Sequence, residues 1–370
     1  LNVLLFSDNV PLVDEVDLKR QAIDQGLLMM GPDCGTAVIN GAPLGFANAV
    51  PSGRVGLVSA SGSGSQHVMC LLAEAEEGIS HALGVGGRDL SAEVNGAMML
   101  EGLIALQDDS ATEIIVLISK PPAQSARDRI LEAASKSDKP CVIAFLGELS
   151  QPLSYGNVHM EQTLEGATLR VLKLLGMGTP GWASIDRAVR QQIETLAGGP
   201  GLKGRCIRGL YSGGTLSYES LFILRYLGHQ VVSDSEEIPA GGDSVIDMGG
   251  DRYTVGRPHP MIDFRARCES LIQESGDSEV GVVLLDVILG YGSHPDPASE
   301  LVPALLEAQA IASDGGRRLE CVVALCGSPG DPQGLQQQQK ALTDTGAVVA
   351  HSNAMAARIA SAISRSNTST

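Results

Sequence analysis

Aromatic residues are nearly missing from this 370-residue sequence, which has six Tyr, five Phe and one Trp. So small a supply excludes the ring platforms on which single-stranded nucleic acids stack. Basic residues are also scarce: 26 Lys and Arg stand against 43 Asp and Glu, a net charge of −17. Nucleic acid and anionic membrane surfaces demand a basic face, so neither is expected as a partner. Any anion site must be local, built from backbone N–H groups and a few Arg or Lys. No apolar run approaches the roughly 20 residues that span a bilayer. Leu1 to Pro11 carries Asp8 and has no basic stretch of the kind that opens a signal peptide. The seven Cys form no C-x-x-C pair, a pattern that suits buried thiols in a reducing cytosol. His67, His81, His229, His294 and His351 lack metal-ligand spacing, and no metal site is expected.

Glycine is plentiful, at 44 residues, and apolar strand-sized runs alternate with helical patterns. That is the signature of a parallel α/β protein of two or three domains. Val3 to Phe6 reads as a buried strand, Asp14 to Gln25 as a surface helix stopped by Gly26, and Leu27 to Met30 as another strand. We expect residues 1–50 to be the remnant of a Rossmann-like unit whose opening strands, with their glycine-rich turn, lie upstream. A first lobe follows over 51–178, with strands at Val55 to Ser59, Ser80 to Val85, Ile114 to Ser119 and Cys141 to Phe145. Residues 179–204, including a polar helix over Ile185 to Ala197, read as a linker. A second lobe runs over 205–363, with strands at Cys206 to Tyr211, Val280 to Val287, Cys321 to Leu325 and Ala347 to Ala350. Residues 364–370 read as a disordered tail.

The lobes share a repeat: a strand, a glycine loop and a helix. In the first the loop is Ser61-Gly62-Ser63-Gly64, and in the second Ser212-Gly213-Gly214-Thr215. A glycine loop feeding a helix leaves N–H groups pointing outward, and the macrodipole adds roughly +0.5 charge there. Ser61, Ser63, Ser212 and Thr215 would add hydroxyls. Both loops are therefore candidate phosphate sites, and lobes packed face to face would let the two dipoles converge on one doubly charged anion. Tight strand–helix turns also use glycine merely to close.

Three side-chain groups stand out. Arg257-Pro258-His259-Pro260 holds His259 between two stiffening prolines, suited to acid–base work or to capping carbonyls, with Arg257 able to grip an oxyanion bidentately. Gly86-Gly87-Arg88-Asp89 follows a strand, at the edge where open α/β sheets bind substrates, although an Arg–Asp pair can equally hold a turn. Cys34 reads as a small buried thiol, while Asp247 and Asp286 could orient a ligand or cap backbone.

Gly31-Pro32-Asp33-Cys34-Gly35, the stretch Gly53 to Gly62 and Val85 to Asp89 resemble the α subunit of succinyl-CoA synthetase. Asp247-Met248-Gly249-Gly250 and the run Val282 to Gly292 resemble the carboxy-terminal domain of its β subunit. With Tyr253 to Asp263 between them, the fused chain resembles FdrA proteins over nearly its whole length. The resemblance implies two flavodoxin-like lobes of succinyl-CoA synthetase type, preceded by the remnant of a CoA-binding domain. It also implies that Ser61 to Gly64 and Ser212 to Thr215 stand where the synthetase's two helix starts hold a phosphohistidine. The synthetase's Gly-His-Ala-Gly-Ala loop is absent; His159 instead lies in a short strand entering a helix. Lys120 stands where the synthetase has a carboxylate. The resemblance therefore implies handling of an acyl or carbamoyl phosphate. As an oxamate carbamoyltransferase subunit, the chain would let phosphate attack oxalurate, with His259 as proton donor and Arg257 and Lys120 steadying charge. As an ADP-forming acyl-CoA synthetase, it would draw on CoA and on ATP through partner chains. A non-catalytic, anion-sensing assembly subunit is a third possibility. Companion subunits or homo-oligomers are expected, with phosphate as a ligand and CoA or ATP brought in through partner chains.

Overall fold

In the computed structural model, residues 1–147, 151–183, 205–233, 238–239 and 241–365 are described. The expected helix over 185–197 and most of the polar tail lie outside them. The chain divides into two units, Leu1–Thr179 and Pro180–Thr370.

The first unit opens with β1 (Val3–Leu4), α1 (Leu12–Asp24) and β2 (Met29–Met30), and β1 pairs only with β2, in parallel. Next come β3 (Thr36–Ile39), β4 (Ala42–Gly45), β5 (Ser52–Ser59), α2 (Gly62–Glu74), β6 (Ile79–Gly84) and α3 (Ala97–Asp108). The unit closes with β7 (Ile114–Ser119), α4 (Gln124–Ser135), β8 (Cys141–Phe145), β9 (Leu153–Tyr155), β10 (Val158–Met160) and α5 (Leu164–Leu174). Its main sheet runs β4-β3-β6-β5-β7-β8-β10-β9. Every residue of β7 and β8 is buried, because helices cover both faces and a parallel strand there must be apolar throughout. Helix α2 has no Asp, Glu, Lys or Arg before its final residue and is buried continuously from Gly64 to Leu72.

The second unit contains β11 (Cys206–Tyr211), α6 (Gly214–Tyr226), β12 (Val231–Val232), β13 (Asp243–Asp247), α7 (Asp251–Thr254) and α8 (Arg265–Ser275). It continues with β14 (Val280–Ile288), α9 (Pro297–Asp314), β15 (Glu320–Cys326), α10 (Leu335–Asp344), β16 (Val348–Ala350) and α11 (Asn353–Arg365). The sheet order is β12-β13-β11-β14-β15-β16, and every pairing is parallel.

The internal repeat is present as topology. Strands β6-β5-β7-β8-β10 and β13-β11-β14-β15-β16 each follow the order 2-1-3-4-5 of a flavodoxin-like sheet. The first sheet is mixed rather than purely parallel, since β3–β4 and β9 add antiparallel edges. The hairpin β3–β4 turns at Asn40-Gly41, whose φ values of 49° and 76° both lie in the left-handed region that a tight hairpin requires. Residues 36–45 thereby join the sheet of the first lobe instead of closing a separate amino-terminal unit. No helix among the described residues is long and apolar enough to cross a membrane.

Candidate functional site

Strand β5 is the first strand of its 2-1-3-4-5 series, so the chain leaves its carboxyl end at the switch point between β6 and β7. In such sheets the crevice outside these strand ends receives ligands. Ser61 caps α2: its hydroxyl oxygen accepts the Gly64 N–H at 2.9 Å, and its carbonyl accepts the Ser65 N–H at 3.1 Å. The Gly64 N–H is thus taken up inside the turn, and Ser61 acts there as an acceptor; both corrections reduce the predicted cradle. Gly62 and Ser63, the first two residues of the helix, keep N–H groups with no acceptor among the described residues. The residue beneath this turn is Ile118, apolar, with Cγ2 only 3.1 Å from where a Cβ on Gly64 would stand.

The second lobe differs at the equivalent place. Tyr211 and Ser59 correspond, so the residue matching Ile118 is Asp286, wholly buried in β14. Its carboxylate accepts the Ser212 and Gly213 N–H groups, each at 2.7 Å, and the Ser212 hydroxyl at 3.0 Å. The Arg267 guanidinium, itself fully buried, pairs with Asp286 at 2.9 Å. Ser212 and Gly213 therefore do not face a phosphate as predicted; an internal carboxylate occupies the anion position. Gly214 and Thr215 begin α6 beyond it.

His259 reaches this second loop. A Cβ on Gly249 would lie 2.8 Å from His259 Nε2, 2.5 Å from the Ser212 carbonyl oxygen and 3.2 Å from Asp247 Oδ1, which explains the glycine of the Asp247-Met248-Gly249 motif. Nδ1 of His259 accepts the Met261 N–H at 3.2 Å, so in the neutral ring Nε2 carries the proton. Burial pushes the His259 pKa below its ordinary value, against the pull of Asp286. Arg257 is exposed and lines a cavity of about 270 Å³ with Met248, Tyr253, Pro258 and Pro260. Its neighbour Asp263 is held down to about 2 by its hydrogen bonds to Arg265.

In the turn after β6, a predicted substrate site, the Asp89 carboxylate is committed to the scaffold. Asp89 accepts the Met98 and Met99 N–H groups at the start of α3 and the Lys19 ammonium at 2.8 Å. Lys19, buried in α1, also meets Glu15 at 2.9 Å, and Arg88 bonds Glu15 and the Val10 carbonyl. This balanced ion network ties α1 to the sheet. Gly86, at φ 88°, packs so closely that a Cβ would sit 1.9 Å from the Pro32 carbonyl oxygen, and the Gly87 N–H goes to Asp33. Lys120 is exposed just beyond β7, beside the end of β5, and its field reaches Asp33. Cys34 is buried, and burial pushes its thiol up to about 11. His159 lies in β10 bonded to Ser154 at 3.0 Å. Sequence reading missed Arg267, Lys19 and Thr36, which acquire partners or neighbours only through the fold.

Residues 51–147 match the CoA binding domain and residues 210–363 match CoA-ligase. With the two 2-1-3-4-5 sheets, these matches define an α/β protein of succinyl-CoA synthetase-like type. The CoA binding match falls on the first lobe rather than on residues 1–50, where the motifs had placed that domain. The chain belongs to the family of YahF, an uncharacterized protein of Escherichia coli K12, to which it is 40% identical over 364 residues, covering 95% of this chain and 70% of YahF. It is 28% identical over 153 residues to the α subunit of the ADP-forming succinate–CoA ligase of Staphylococcus epidermidis ATCC 12228, a match covering 40% of this chain and about half (49%) of that subunit. It is 25% identical over 205 residues to SqwL, an ADP-forming sulfoacetate-CoA ligase subunit of Acholeplasma sp, covering 52% of this chain and 67% of SqwL.

Proposed function

We propose that the chain is the acyl-phosphate-handling part of an ADP-forming acyl-CoA ligase, working with a nucleotide-binding partner chain. One observation carries this reading: the Gly62 and Ser63 N–H groups stand uncommitted at the carboxyl edge of the first sheet, at the start of a largely buried helix with no charged residue before its last. When the bond between an acyl carbon and a phosphate oxygen breaks, negative charge grows on that oxygen. Two fixed N–H donors and the helix dipole stabilise it with no reorganisation at the moment of reaction. Lys120 adds a cation at the same edge. His259, with its proton on Nε2, is the candidate donor at the second loop. The relatives named for an activity are ligases, which favours thioester formation over the carbamoyl-transfer arm of the sequence expectation. CoA enters through the family match alone.

The test combines the chain with its nucleotide-binding partner, an acyl phosphate and CoA, and measures thioester formation. Turnover is expected, and Ser63→Asp, which places a carboxylate in the cradle, should reduce it by at least about 100-fold, the scale of losing oxyanion donors. Full turnover by Ser63→Asp would overturn the assignment. Phosphate-dependent cleavage of oxalurate without thioester formation would return the carbamoyl reading.

A further inference from the structure

Resting on the reading of the α2 start as a phosphoryl site, we propose that the Thr36 hydroxyl is its third donor and confines the site to tetrahedral oxyanions. Thr36 opens β3 and is 2% exposed, and its Oγ1 is buried with no hydrogen-bond partner. A buried hydroxyl in that state is costly, and native proteins rarely keep one without a use. The hydroxyl is the part of Thr36 turned to the helix start. It lies 3.0 Å from the position of a Cβ on Gly62, whereas Thr36 Cβ is 3.8 Å away. Glycine at position 62 thus keeps open the space between the hydroxyl and the first N–H of α2.

The placement is rigid. Thr36 pairs with Gly45 of β4, and two residues on Val38 pairs with Ala82 of β6, so the hydroxyl stands on a sheet strand and not on a loop. Two N–H groups on α2 and one O–H on β3 approach from different elements. Three donors in that arrangement suit the three peripheral oxygens of a phosphoryl group better than the two coplanar oxygens of a carboxylate. Among the described residues the second lobe has no counterpart of the β3–β4 hairpin, and there the Asp286 carboxylate lies beneath the loop.

Inorganic phosphate is titrated against the melting temperature of the 370-residue chain at constant ionic strength, with acetate as the carboxylate control. Wild type should respond saturably to phosphate and not to acetate, and Ser63→Asp should not respond. Thr36→Val keeps the shape and removes the hydroxyl. It should need about 10-fold more phosphate, the value of one hydrogen bond to a charged group, while its ligand-free melting temperature stays equal or rises. Thr36→Ser should titrate within about 3-fold of wild type, since the donor is retained. Thr36→Ala gives the same comparison if valine is not tolerated. A hydroxyl-free variant that titrates like wild type, while Ser63→Asp stays silent, overturns this inference and leaves the phosphoryl reading intact. An equal response to acetate overturns the tetrahedral assignment. A silent wild type removes the phosphoryl reading and the inference together.

Discussion

His67 lies in the second turn of α2 and is enclosed by the lobe. Burial pushes its pKa down to about 4 from an ordinary 6.5. The unfolded chain therefore binds a proton in a range where the folded chain does not. The stability this neutral ring contributes is complete above about pH 6.5 and is lost as pH falls toward 4. At roughly 1.4 kcal/mol per unit, the whole window is worth about 3 kcal/mol. Urea unfolding from pH 7 to 4.5 should show wild type losing stability faster than His67→Gln, because only the wild-type ring titrates. Parallel curves for the two proteins would refute the assignment. Acidification should thus loosen the helix that bears the cradle before it touches the cradle's own groups.

At the scale of elements, the two glycine loops read almost alike in the sequence and behave differently once folded. Strands β7, β8 and β11 lie on the predicted residues because strands covered on both faces are mainly apolar, with Arg208 the charged exception in β11. Helix starts were legible from glycine and serine. What chain order could not supply was the residue beneath each loop, which comes from a neighbouring strand: Ile118 in β7, Asp286 in β14. Thr36 was illegible for the same reason, since only the β3–β4 hairpin brings it against Gly62, although the Asn40-Gly41 turn was available as a signal. The Asp286–Arg267 pair is the element-level consequence most open to measurement. Asp286→Asn leaves a fully buried guanidinium without its counter-charge and should destabilise the chain by about 3–5 kcal/mol. Replacing both residues, as Asp286→Asn with Arg267→Met, should recover much of that loss, because the stranded charge is gone. Denaturant melts of the singles and the double close the cycle, and strict additivity would show that the pair is not coupled.

For the whole molecule, one topology is repeated with different residues beneath its two glycine loops. A net charge of −17 gives no general attraction for anions, so binding must rest on local donors. In the second lobe the donors of Ser212 and Gly213 are satisfied by Asp286. In the first, the equivalent Ala60 and Ser61 N–H groups donate to the Ile118 carbonyl and the Ser59 hydroxyl, and the Gly62 and Ser63 N–H groups beyond them are the proposed phosphate donors. The chain should therefore bind one phosphate, and the binding should belong to the first lobe. Calorimetric titration of wild type is expected to give a stoichiometry of one. Ser63→Asp should abolish the heat, because its carboxylate competes for the α2 dipole within the first turn, where that field is strongest. Gly214→Asp makes the same change at the start of α6 and should leave stoichiometry and affinity near wild type, since the Asp286 carboxylate beneath that loop opposes a second anion there. Had both loops been needed for one doubly charged ion, as the sequence repeat suggested, the two substitutions would be equally damaging. Loss of binding in Gly214→Asp would therefore restore the two-loop arrangement, and a stoichiometry of two would show that Asp286 yields its place to the ligand.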